Sequence, residues 1–140
     1  MDPILSTDIK EKLIEEFASL SGNVDIHVYT AKGINDKYNE YAVKICEEFS
    51  GLSEKISYEE HDLDSDEARR YGVKSSPSIL FSPDRYGIMI MGAPLGEEGR
   101  SFVAAIVMVS SGKGILSESS DERLRGLKDK REIMVFVTPT

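Results

Sequence analysis

Apolar positions along the chain switch between a helical and a strand period. Ile9, Leu13, Phe17 and Leu20 fall at helical spacing behind Ser6 and Thr7, either of which can cap a first turn with its side-chain oxygen. A helix is expected from about Thr7 to Ser21. Ser21-Gly22-Asn23 breaks that pattern, and Val24 to Tyr29 alternates with period two, the mark of a strand. After a loop around Gly33, the residues Tyr38, Tyr41, Ala42, Ile45, Cys46 and Phe49 line one helix face. Gly51 is expected to close this helix through the positive φ that glycine adopts freely. Ile56 to Asp62 reads as a second strand, with Ile56, Tyr58 and Glu60 on one side and Ser57, Glu59 and His61 on the other. A short helix over Ser65 to Tyr71 follows. Ser76-Pro77 opens a third strand, Ser78 to Phe81, at a position where proline lies outside the ladder. Turn chemistry in Pro83 to Gly87 then leads to a fourth strand, Ile88 to Met91, close enough to pair antiparallel with the third. The apolar run Phe102 to Val109 is the core of a last helix, stopped by Ser110-Ser111-Gly112.

A helix crosses between the first two strands, so they are parallel, and the last two form a hairpin. The order predicts an α/β domain, α-β-α-β-α-β-β-α, with a mixed central sheet and flanking helices. It spans residues 1–114. Residues 115–131 read as a polar linker in which Leu124 and Leu127 mark a short amphipathic helix. Glu132 to Val137 alternates between two apolar faces, as a strand buried on both sides does. Such a strand is expected to be paired or covered, because alone it leaves backbone groups and apolar surface open. Residues 132–140 accordingly read as the first strand of a second unit.

Length and composition narrow the function classes. A chain of 140 residues is one domain with a real core, since domains run ~100 to 200 residues. One cysteine excludes an internal disulfide and a cysteine-rich zinc finger, and makes a reducing cytoplasmic location the expectation. The formal net charge of -8, with no basic stripe, argues against nucleic acid as a partner. No apolar run approaches the ~18 to 20 residues of a membrane span.

The order of elements, with Ser-Pro before the third strand, resembles the thioredoxin pattern. Val24 to Tyr29, Leu52 to Glu59, Ala68 to Pro77 and Ile106 to Ser110 are similar to the first half of the glutaredoxin-like protein disulfide oxidoreductases of archaea and thermophilic bacteria. Those proteins are two tandem thioredoxin-fold units. Val135 to Thr140 resembles the segment that leads into the second unit's Cys-Pro-Tyr-Cys. The resemblance implies that the Ser76-Pro77 bond is cis and that Ser75, Ser76 and Pro77 border a peptide or partner groove. It also locates the family's Cys-x-x-Cys over Asn35, Asp36, Lys37, Tyr38 and Asn39, where this chain has no cysteine.

Dithiol exchange needs a thiolate at a helix N-terminus and a second cysteine three residues on. Cys46 lies about two turns inside its helix on the apolar stripe and reads as a buried hydrophobe, with a lone regulatory thiol as the alternative. His27 and His61 each lack a second histidine or cysteine at ligand spacing, so no metal site is expected. Asp62 to Asp66 copies the start of a calcium loop, but Glu67 stands at its sixth place and Val73 at its twelfth. No cofactor is indicated. The expected function is a redox-inactive thioredoxin-like domain that supports exchange carried out by a second unit. A similar division marks the N-terminal region of bacterial alkyl hydroperoxide reductase flavoproteins. Its partners are then protein thiols or disulfides met through the parent protein, or a second copy of the chain, with no membrane. The alternatives are a single-thiol redox enzyme using Cys46 and a free-standing protein-binding module.

Overall fold

The computed structural model describes residues 2–137. Nine elements follow one another as α1 (Thr7–Phe17), β1 (Val24–Thr30), α2 (Asp36–Ser50), β2 (Ile56–Asp62), α3 (Asp66–Tyr71), β3 (Ser78–Phe81), β4 (Met89–Met91), α4 (Glu98–Ser111) and α5 (Glu118–Arg125). The sheet runs in the order β2-β1-β3-β4. β1 pairs parallel with β2 and antiparallel with β3, and β3 pairs antiparallel with β4, so the sheet is mixed.

The larger core lies on one sheet face, where Val24, Ile26 and Val28 of β1 meet Ile79 and Phe81 of β3 beneath α1, α2 and α4. Its centre is aromatic. Phe102 of α4 meets Phe49 of α2 edge-on at 4.9 Å and Phe81 at 5.1 Å. On the opposite face a smaller cluster forms around Tyr29 and Leu80, covered by Ala68 of α3 and by Val73. Glu48, nearly buried on α2, ties down the N-terminal segment. Its carboxylate accepts from the Ile4 N–H (2.8 Å) and the Leu5 N–H (3.1 Å) and pairs with Lys10 at 3.0 Å. Burial alone pushes this carboxyl up, but those three donors outweigh it and hold Glu48 below the ordinary carboxylate range.

Local chemistry explains where elements stop. Ser6 caps α1 by accepting from the Ile9 N–H. α1 ends at Phe17, earlier than Ser21, because Ser19 Oγ donates to the Glu16 carbonyl and the chain tightens into three-residue turns that bury Leu20. Ile9 is exposed rather than part of the buried stripe. Gly51 ends α2 at φ -72, so its left-handed freedom goes unused, whereas Gly72 (φ 72) and Gly112 (φ 65) use theirs to end α3 and α4. Among the described residues no helix is long and apolar enough to cross a membrane.

The expected last strand is not formed by the residues described. Residues 132–137 belong to no ladder, and Ile133, Val135 and Phe136 are exposed, the last at 85%. Apolar alternation creates a demand for a partner edge without supplying one. α5, which precedes the segment, buries no residue and so does not anchor it to the core. Residues 138–140 of that expected strand lie outside the described residues. The buried residues of the described chain all fall between Leu13 and Ser110. Deleting residues 132–140 is therefore expected to leave the melting temperature unchanged and to improve solubility by removing exposed apolar surface. A marked drop in a thermal melt would show that this segment belongs to the first domain.

Candidate functional site

The segment Asn35 to Asn39 lies where β1 ends, α2 begins and the Ser75-Pro77 loop enters β3. Asn35 stands at the N-cap of α2 in the left-handed region (φ 57, ψ 34) and makes no side-chain cap. Its amide instead donates to the Ser76 carbonyl at 2.7 Å. The loop before it is held by Asp36, which accepts from the Gly33 N–H at 2.7 Å. Asn35, Asp36, Lys37 and Tyr38 are exposed, and Asn39 is buried. Periodicity put Tyr38 on the apolar stripe, yet the inward position at this end of the helix belongs to Asn39.

Asn39 is inward because its amide fills a polar niche. Its Nδ2 donates to the carbonyls of Ile34 (2.8 Å) and Ala31 (3.1 Å), while its Oδ1 accepts from Ser76 Oγ at 2.8 Å. Ser76 Oγ in turn accepts from the Ala31 N–H at 2.7 Å. The Ser76-Pro77 bond is cis, and both residues are buried. Ser75 uses its carbonyl and hydroxyl on Ser78. The edge expected to face a peptide is thus hydrogen-bonded from within: the carbonyl before Pro77 already has Asn35 as its donor.

Among the described residues no thiol reaches this place. Cys46, fully buried, lies ten residues into α2 from Asp36, about 15 Å along the axis. Burial pushes its thiol well above the ordinary range, which suppresses the thiolate. The helix start therefore keeps its backbone donors and dipole while carrying no thiol for them to activate.

A second cluster sits on the opposite face of the sheet, and the reading of His27 and His61 as isolated histidines is corrected there. The β1–β2 register opposes His27 to Glu59 and Tyr29 to His61. His61 Nε2 lies 3.1 Å from His27 Nδ1, and the two rings are 4.9 Å apart and nearly parallel. Glu67 of α3 reaches both, with Oε2 3.2 Å from His61 Nδ1 and Oε1 3.5 Å from His27 Nδ1. Glu59 Oε2 lies 3.6 Å from His61 Nε2. Tyr29 stacks on His61 at 5.0 Å, and its buried hydroxyl has no partner among the described residues. Burial first, then the carboxylate of Glu67, raises that phenol's pKa. Ligand spacing along the chain cannot reveal this cluster, because the two histidines are 34 residues apart. The available signal was the parallel pairing: aligning the strand starts Val24 and Ile56 brings His27 to Glu59 and Tyr29 to His61.

No family model matches the chain. It is similar to the alkyl hydroperoxide reductase AhpF of Staphylococcus epidermidis (29% identity over 139 residues) and of Staphylococcus aureus strain MRSA252 (28%). The similarity covers 98% of this chain but only 25% of those proteins, so the chain spans about a quarter of the curated relatives it matches. Among solved structures it resembles a protein disulfide oxidoreductase from Aeropyrum pernix, with TM-score 0.77 and 24% identity over 88% of this chain and 55% of that one. It also resembles the NTD_N/C domain of alkyl hydroperoxide reductase AhpF from Enterococcus faecalis, with TM-score 0.72 and 26% identity over 86% of this chain and 59% of that one. The chain has a thioredoxin-like fold, the fold it shares with a protein disulfide oxidoreductase and with the N-terminal domain of an alkyl hydroperoxide reductase AhpF.

Proposed function

We propose that this chain is a redox-inactive thioredoxin-like unit of a larger disulfide-exchanging protein, of the protein disulfide oxidoreductase or alkyl hydroperoxide reductase AhpF kind. It packs against and positions a second unit that carries out the exchange. One observation carries the reading: where the chemistry needs a thiolate, the start of α2 presents Asn35 to Asn39, and Asn35 donates to the carbonyl before Pro77. The unit keeps the scaffold, and the amides of Asn35 and Asn39 are bonded within the chain itself. On this reading residues 132–140 open the second unit, and the apolar segment 132–137 is covered by the rest of that protein. Protein thiols and disulfides are then met through the parent protein in the cytoplasm.

Insulin reduction by this chain with dithiothreitol or glutathione is expected to stay at background. Ellman's reagent should label Cys46 slowly in the folded chain and quickly in denaturant, as a buried thiol with a raised pKa requires. Activity above background that disappears in Cys46→Ser would establish the single-thiol enzyme instead.

A further inference from the structure

We propose that His27, His61 and Glu59 form a binding site for a divalent d-block cation of the zinc class, with Glu67 holding the His61 ring through its Nδ1. The inference is independent of the redox reading, since it concerns the other face of the sheet.

The ligand atoms are close enough to share one ion, which would displace the proton now held between the two rings. Two nitrogens each ~2.0–2.1 Å from a tetrahedral zinc stand about 3.3 Å from one another. His27 Nδ1 and His61 Nε2 stand 3.1 Å apart. Glu59 Oε2 is 3.6 Å from the same His61 nitrogen, and the ligand atoms of all three residues lie within 4.8 Å of one another. Two imidazoles and one carboxylate, with a fourth position left to water, is a donor set that zinc accepts.

The groups around the ligands fit the same role. A ligating histidine usually donates its other ring N–H to a carboxylate, which fixes its tautomer. Glu67 Oε2, 3.2 Å from His61 Nδ1, is placed to accept that proton, so the Nε2 lone pair is turned toward His27. Tyr29 stacks on the His61 ring and limits its rotation. The two histidine side chains are only 14% and 15% exposed, whereas that of Glu59 is 68% exposed, so the cluster opens to solvent on the Glu59 side. Glu59 and Glu67 supply the negative charge that compensates a dication in a partly desolvated site. Imidazole nitrogen selects zinc, nickel or copper over magnesium and calcium, which prefer all-oxygen sites.

The test is zinc titration of the full chain free of any tag histidines, read by calorimetry and by competition with a chromophoric chelator. One zinc per chain is expected, with no uptake of calcium or magnesium, and zinc should raise the melting temperature. His27→Gln and His61→Gln should each abolish this binding, and Glu67→Gln should weaken it ~10–100-fold. Should a histidine variant fail to fold, the exposed Glu59→Gln decides, since it removes one ligand without touching the core, and it too should weaken binding. Absence of saturable uptake at micromolar zinc would overturn the proposal. So would affinity unchanged in Glu59→Gln and His61→Gln, because the ion would then be held elsewhere.

Discussion

Phe102→Ala should destabilise the domain by about 3–5 kcal/mol, the range for deleting a fully buried aromatic ring. The ring has no exposed surface and stands at the meeting point of three elements, edge-on to Phe49 of α2 and to Phe81 of β3. Phe49 passes the contact on to Phe17 of α1 at 5.9 Å. Removing the ring opens a cavity between these elements that their walls fill only in part by relaxing. It also forfeits two aromatic edge contacts worth ~0.5–1.5 kcal/mol each beyond their area. Domains of this kind hold only ~5–15 kcal/mol in total, so the variant should be marginal at physiological temperature. Ile115→Ala, at a side chain almost wholly in solvent, should stay within about 0.5 kcal/mol of the parent. Urea denaturation of the two variants side by side checks both. A loss below ~1 kcal/mol for Phe102→Ala would mean that the cavity collapses and that α4 is not fixed against the sheet as described.

That core was legible in the sequence because burial there follows from periodicity and apolarity alone. Ser78 to Phe81 reads as a strand, and all four of its residues are buried. The run Phe102 to Val109 lies inside α4 and supplies Phe102, Ala105, Ile106 and Val109 to the interior. The polar positions were less legible, since their placement depends on partners far along the chain. Asn39 and Tyr38 are neighbours in a helical pattern, and hydrophobicity favours Tyr38 as the inward residue. What reverses them is a set of carbonyls in the preceding loop and a hydroxyl 37 residues away. The histidine cluster needs strand register as well as strand identity. Segment 132–137 shows the converse limit, since its pattern states what the chain would bury without saying against what.

Asn39→Leu should cost about 2–4 kcal/mol, even though leucine is close in volume and favours the helix, because buried groups left without partners cost ~1–3 kcal/mol each. Leucine offers neither donors for the Ile34 and Ala31 carbonyls nor an acceptor for Ser76 Oγ. Ala31 keeps a second donor in the Ile34 N–H, so the heavier losses fall on the Ile34 carbonyl and on the buried Ser76 hydroxyl. Asn39→Asp separates hydrogen bonding from volume. Its carboxylate would sit where the amide nitrogen now meets two carbonyl oxygens at 2.8 and 3.1 Å, which disfavours the charged form in the folded chain. The folded pKa of that new carboxyl is then raised above its unfolded value of about 3.9. The protonated form can still donate, so the deficit of Asn39→Asp relative to the parent is small below the unfolded pKa and widens as pH rises through the folded one. Melts of both variants across this range, with hydrogen exchange at the Ala31 N–H that Ser76 Oγ accepts, read the network directly. Both variants should exchange faster than the parent at neutral pH, with the Asn39→Asp excess shrinking in acid. An Asn39→Leu chain as stable as the parent, with Ala31 equally protected, would show that this polar cluster does not hold the start of α2 against the Pro77 loop.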